Sequence, residues 1–585
     1  MLTSMMTETA AAARRQLRFA AAGAAALGVG ALLLSSAGAQ TPPADLILYN
    51  GRIATVNPAF EMAQAVAIAA GRFVAVGSND SVRRLANGST RQLDLGGRTV
   101  VPGLSDNHLH SAGGGSGVDL SGARTLDDVL RAIGARAAQT PAGQVIVTND
   151  DWHEAQLKEQ RLPLRRDLDK AAPAHPLVVV RGGHEYILNS RALEKWNITP
   201  ATPVPDGGRI TRYDDGELNG ELVDRAKALV TLPAPAAPTL DERVQAEVAQ
   251  HRKLLAAGLT SIRHPGTSVE QYRTLQEVKR RGLLKIRINL LLRPDRETDA
   301  AGLRAWLERS GVRPDEGDEW LRIGGAKLGV DGGFEGGWMR EPYAEPWGEG
   351  GRFFGLQTMP AERYTAMVKE LNRLGWRVAT HAVGDAAIDL VLSAYAAANA
   401  EQSIVGRRWS VEHGFIARPE HLPRMKNLGL ELSAQDHLYL AGPSLVKYWG
   451  ERRASQTTPV RSYLDAGIPT SAGTDSPVVP YNPLWVIYHF VTRDTITGGV
   501  MGADQRVSRA EALRMSTIAN AHLTFEEGSK GSIEPGKVAD LVVLDRDILT
   551  VPEKQIEGAR PLMTMVAGEI VYTDAAFTAH LPSRP

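Results

Sequence analysis

Two histidines one residue apart, His108 and His110, follow the apolar run Thr-Val-Val-Pro-Gly-Leu at 99–104. The run reads as one short buried strand that stops and presents two imidazoles. Side chains alternate faces along extended backbone, so positions i and i+2 point the same way. Two neutral imidazoles at one strand end are a ready pair of metal ligands, and borderline cations such as zinc favour nitrogen donors. An isolated His-x-His is more often an ordinary surface pair, so the choice rests on residues later in the chain. Cysteine is absent from all 585 residues. That excludes disulfides, thiolate nucleophiles and Cys-ligated metals. Any metal must be held by His, Asp, Glu or a modified Lys.

The elements that must position such ligands alternate in type. Short apolar runs at 258–263, 285–292, 321–327, 376–381, 409–413, 429–434 and 468–475 read as strands, and 99–104 makes eight. Helical patterns such as 361–374 and 385–398 separate several of them. Alternating βα units in this number predict an α/β protein built on a (β/α)8 barrel, placed at 98–531. An insertion at 115–245 interrupts it after the first strand, with its own strands at 145–148 and 177–180 and a Pro-rich exit at 233–238. Strand-turn-strand patterns at 44–56, 65–77, 539–545 and 564–572 predict one small β-sandwich domain assembled from both termini, 44–97 with 532–576.

Chemistry in such a barrel sits at the C-terminal strand ends. The first predicted strand presents His108 and His110, the fourth Lys327, the fifth His381, the sixth His413 and the eighth Asp475. This order resembles the amidohydrolase superfamily. The motifs that carry the resemblance are Val-Pro-Gly-Leu-Ser-Asp-Asn-His-Leu-His ending at His110, Lys-Leu-Gly-Val-Asp-Gly-Gly from Lys327, and Thr-His-Ala-Val-Gly-Asp around His381. Val-Glu-His ending at His413 and Gly-Thr-Asp-Ser-Pro around Asp475 complete the set. The long insertion and its motif Arg-Gly-Gly-His-Glu-Tyr-Ile-Leu-Asn-Ser (181–190) resemble the branch that contains N-substituted formamide deformylase.

The resemblance implies a metal-dependent hydrolase of a non-peptide C–N bond in an amide, formamide or related small molecule. It implies two divalent metals, zinc foremost, or one if Lys327 is unmodified. His108 and His110 would hold the first and His381 and His413 the second. Lys327 would bridge them as a carbamate, since a bare ammonium cannot ligate. Asp475 would bind metal and carry the proton between an activated water and the leaving nitrogen. His184, from the insertion, is a candidate for polarising the substrate, or a structural loop histidine. His437 has the same two readings. Arg493 could hold a substrate carboxylate in a bidentate pair, or be a solvated arginine. His153 and His175 read as structural. Ester, lactone or carbamate hydrolysis would use the same site. Deamination in this barrel often uses a Glu shortly after the fifth-strand His, and His381-Ala-Val-Gly-Asp385 has none. A non-catalytic binding protein would be expected to have lost a ligand type, and all six are present. Three positions depart from the family pattern: Asn107, Arg263-His264 and Asp436. Each bears on substrate choice rather than on the ligands.

Composition is that of a globular protein, 43% hydrophobic. Its 66 basic and 66 acidic residues balance, which gives no support for nucleic-acid binding. Residues 1–39 read as a secretory signal peptide: Arg14-Arg15, an Ala/Gly/Leu run, then Ala37-Gly-Ala39. The paired arginines suggest the twin-arginine route and a periplasmic or secreted bacterial enzyme, with no stable membrane insertion after cleavage. An uncleaved anchor is the competing reading. The partner implied is a small-molecule substrate, and a homodimer is compatible with that.

Overall fold

A computed structural model describes residues 43–578 except 116, 234–236 and 296–297. The expected signal segment and part of the Pro-rich exit lie outside the described residues. Eight parallel strands form the central sheet: Leu104–Asp106, Leu259–Thr267, Arg287–Leu292, Leu321–Gly329, Val378–Ala382, Ser410–His413, Glu431–Gln435 and Thr470–Gly473. Each pairs in parallel with the next from the first to the eighth. The first and last strands meet at a seam. There the Asn107 N–H donates to Ala472 O at 3.2 Å. The Asn520 amide bridges the same seam, donating to Ser105 O at 2.8 Å and Ala472 O at 3.0 Å. The (β/α)8 barrel is therefore the fold.

Helices cover the outside of this barrel where apolar stripes face the strands. Ala361–Arg373 buries Tyr364, Met367, Val368 and Leu371, the spacing of one helical face. The helix Leu240–Ala256 starts at a capping box, with Thr239 and Glu242 satisfying each other's backbone N–H groups. Its Val244 and Val248 enter the barrel core. The insertion thus ends before Leu240, and the expected end at 245 falls inside a barrel helix.

The predicted first strand is two strands. Thr99–Pro102 pairs with Leu541–Leu544 and Arg52–Ala54 in a six-stranded sheet made from both chain ends. Leu104–Asp106 pairs with the barrel. Gly103 is the crossing point: a Cβ there would lie 2.1 Å from Thr260 Oγ1. Continuous hydrophobicity across 99–104 hid the break, because both strands are buried on both faces. The six-stranded sheet faces a four-stranded one, and Leu48, Ile53, Val66, Phe73, Val100, Val543 and Met563 fill the space between.

Residues between the first two barrel strands build a separate five-stranded sheet, from Ile146–Val147, Leu177–Arg181, Glu185–Leu188, Gly208–Arg212 and Leu218–Asp224. Among the described residues no helix is long and apolar enough to cross a membrane.

Candidate active site

The barrel mouth gathers the six predicted strand-end side chains. The imidazoles form a row, with centroids 5.2 Å apart for His110–His108, 4.8 Å for His108–His413 and 4.6 Å for His413–His381. One ligand atom from each of His108, His413 and Asp475 lies within 4.8 Å of the other two. Lys327 Nζ is 3.3 Å from His108 Nε2. Asp475 Oδ1 is 3.3 Å from His108 Nε2 and 3.1 Å from His110 Nε2.

Hydrogen bonds on the outer ring nitrogens decide which lone pairs remain. His108 Nδ1 meets Glu412 Oε2 at 2.7 Å, His413 Nδ1 meets Gln435 Oε1 at 2.7 Å, and His381 Nε2 meets Gly332 O at 3.1 Å. These oxygens only accept, so those nitrogens carry the hydrogens. The nitrogens without a hydrogen are Nε2 of His108, which Lys327 Nζ approaches at 3.3 Å, Nε2 of His413 and Nδ1 of His381. Burial pushes His108 down to about 3 and holds His381 and His413 well below the usual imidazole range, so all three are neutral near pH 7. Burial pushes the Asp475 carboxyl up, but the imidazoles around it outweigh that and hold it well below the usual carboxylate range. His108 Nε2 and Asp475 Oδ1 therefore face each other as two acceptors. Imidazole nitrogens of His108 and His110 against a buried carboxylate, with His413 beside them, are a donor set that fits a divalent cation of borderline softness. Lys327 is buried with them, and burial pushes its ammonium down to about 8.

Local backbone places two of these groups against the ordinary pattern. Alternation along a strand would send Glu412 and His413 to opposite faces. His413 has φ 72°, in the left-handed region, which lets both side chains serve the site. Asp475 has φ 62°. Non-glycine residues in this conformation persist where their surroundings over-determine them, and functional sites are such places.

Of the residues behind the ligands, Glu412 and Gln435 were not singled out in the sequence, and Arg263 and Asn107 stood out only as departures from the family pattern. Glu412 is fully buried and accepts from Arg263 Nη1 at 3.0 Å, from Ser410 Oγ at 2.6 Å and from His108. Arg263, a departure from the family pattern, is thus the counter-charge for the carboxylate that orients His108. Asn107, another departure, accepts from Gln435 Nε2 at 3.2 Å, and Gln435 orients His413. His264 is turned into a local contact with Thr267 Oγ1 at 2.9 Å. Asp436 is buried at the start of the helix His437–Trp449. The signal that could have found Glu412 was its place in Val-Glu-His, one residue before a ligand type.

A cavity of about 300 Å³ opens over the row of imidazoles. Barrel residues His108, His110, Lys327, His381, His413 and Asp475 form its floor. The insertion supplies a wall through Asp150, His184, Asp224 and Arg225. His184 stacks on His381 at 5.6 Å between centroids, and its Nδ1 meets Asp224 Oδ1 at 2.5 Å. His437 Nε2 is 3.2 Å from Asp475 Oδ2, between the rings of Phe334 and Phe415. His153 caps a short turn by accepting the Ala155 N–H at 3.1 Å, and His175 sits against Gln144 O at 3.3 Å. Neither lines the cavity.

Arg493 is not a substrate-binding residue. It is fully buried, and its guanidinium donates to the backbone oxygens of Met501, Thr458, Ser455 and Thr457. It staples loops together instead of reaching the cavity. The sequence could not distinguish a guanidinium aimed at a ligand from one aimed at carbonyls.

Comparison with known proteins agrees with this geometry. Residues 91–572 match the model of the Amidohydrolase family. The chain is 32% identical over 548 residues to N-substituted formamide deformylase of Arthrobacter pascens, covering 91% of this chain and 99% of that one. It is 30% identical over 555 residues to Protein LONG AFTER FAR-RED 3 of Arabidopsis thaliana, covering 91% and 93%. An uncharacterized metal-dependent hydrolase from Pyrococcus horikoshii superposes with a TM-score of 0.65 at 25% identity, over 87% of this chain and 99% of that one. The chain belongs to the amidohydrolase family and is a metal-dependent enzyme that hydrolyses C–N bonds.

Proposed function

We propose that this enzyme hydrolyses the C–N bond of a small N-substituted formamide or amide. The observation that carries the reading is the meeting of ligand atoms of His108, His413 and Asp475, with buried Lys327 against His108. The similarity to N-substituted formamide deformylase supports the substrate class. His108, His110, His381, His413 and Asp475 would hold two zinc ions, with Lys327 bridging as a carbamate. Lys327 suits that role because burial favours its neutral amine, the form that takes up carbon dioxide. When bound, the metals supply Lewis acidity to water and to the scissile carbonyl.

The chain's own residues do the rest. Asp475 is ionised and can accept a proton from the attacking water at a carboxylate oxygen, then deliver it to the departing nitrogen. His437 holds Asp475 through Oδ2 and fixes the carboxylate plane. His184 meets the substrate from the insertion wall. Glu412 and Gln435 keep the His108 and His413 rings in one tautomer.

A panel of N-substituted formamides, acetamides, carbamates and esters with matched substituents tests the reading. The highest kcat/KM is expected on a C–N bond. Turnover confined to esters would overturn it.

A further inference from the structure

His184 and Asp224 form a pair that belongs wholly to the insertion. Their strands, Glu185–Leu188 and Leu218–Asp224, are antiparallel neighbours, and the Asp224 N–H donates to His184 O at 2.8 Å. Asp224 is buried while the His184 side chain is 30% exposed, so the pair has an inner carboxylate and an outer imidazole. Asp224 adopts φ 48° and ψ −115°, a backbone state that an L-residue rarely takes.

The loop after the fourth barrel strand is shaped around this pair. A Cβ on Gly332 would lie 2.0 Å from Asp224 Oδ2, and one on Gly333 would lie 2.6 Å from His184 Cγ. Glu335 of the same loop forms a buried ion pair with Arg181, which leads into the His184 turn. The imidazole is thus clamped between a carboxylate on one side and glycine backbone on the other.

A carboxylate on Nδ1 has a chemical consequence. Asp224 Oδ1 can only accept, so the Nδ1 hydrogen is committed to it. With that hydrogen on Nδ1, Nε2 is the ring nitrogen left to meet a substrate in the cavity, and it does so as an acceptor. The group that complements a fixed lone pair is a donor, and the donor of a secondary amide is its N–H. A tertiary amide or an ester has none. A site built to pair with a substrate N–H discriminates strongly against the analogue that lacks it, because its own polar group is left unpaired.

We propose that His184, positioned by Asp224, selects substrates whose scissile nitrogen carries a hydrogen: N-monosubstituted formamides and amides over N,N-disubstituted ones. This rests on the C–N hydrolase reading above. Asp224 is the positioning residue and His184 the residue that meets substrate.

The test compares kcat and KM for matched N-monosubstituted and N,N-disubstituted formamides in the metal-loaded enzyme and in His184→Ala, Asp224→Ala and Asp224→Asn. The wild type is expected to prefer the monosubstituted substrate by at least about tenfold. His184→Ala and Asp224→Ala should bring that preference to within about threefold, with metal content unchanged. Asp224→Asn, which keeps an acceptor oxygen and the shape of the side chain, should retain more of the preference. It also serves if the alanine variant fails to fold. Equal loss on both substrates in the variants, or no preference in the wild type, would overturn the inference while leaving C–N hydrolysis intact. No turnover of any formamide or amide would overturn both.

Discussion

Asp475 Oδ1 stands 3.3 Å from His108 Nε2, and neither atom carries a hydrogen near neutral pH. A carboxylate in that position can join a cation and take a proton. Asp475→Asn keeps the shape and removes the proton acceptor. The variant should fold normally, keep most of its metal through the other ligands, and lose on the order of 10²–10⁴ in turnover. Near wild-type kcat in a folded Asp475→Asn enzyme would remove Asp475 from the chemistry.

Arg263 and Glu412 are a buried ion pair whose carboxylate also accepts a hydrogen bond from His108 Nδ1. Removing one member of such a pair leaves the other charge stranded. Arg263→Ala should lower unfolding stability by about 3–5 kcal/mol in chemical denaturation. A change under about 1 kcal/mol would mean that water or another cation compensates Glu412.

Arg493 makes the opposite prediction from the one its residue type suggests. Because it donates only to backbone oxygens in a dry setting, Arg493→Ala should cost on the order of 3 kcal/mol of stability. KM should not rise selectively for substrates carrying a carboxylate. A selective rise of that kind would return Arg493 to the substrate.

Buried histidines outside the proposed metal ligands impose an acid limit, His153, His251 and His489 among them. Burial pushes His153 and His489 down to about 3 and His251 to about 4. Their folded values lie below the unfolded value of roughly 6.5. The unfolded chain therefore takes up protons first as pH falls. The stability they contribute is fully present above about pH 6.5 and is lost as pH drops towards 3–4. Thermal midpoints measured from pH 8 to 4 should fall below about pH 6.5, before most carboxylates titrate. A flat profile down to pH 4.5 would contradict this.

The barrel was legible because its strands are short apolar runs at helical intervals, and its strand ends carry residue types with few other reasons to be there. The sandwich was legible from turn signals at both termini. The break at Gly103 was not, since burial on both faces of both strands erases the alternation that would have marked it. The residues behind the ligands were hidden for another reason. Arg263 and Glu412 meet across 149 residues of sequence, and His184 finds Asp224 across 40, with no periodicity to link them. Arg493 shows the limit of reading residue types: the same guanidinium suits a ligand carboxylate or four carbonyls, and only packing decides.

Elemental analysis of the purified enzyme, paired with activity before and after chelation, tests the central claim most directly. Two divalent metals per chain are expected, with activity on a C–N substrate lost on chelation and restored when zinc is returned. Fully active protein with no stoichiometric metal would contradict the account.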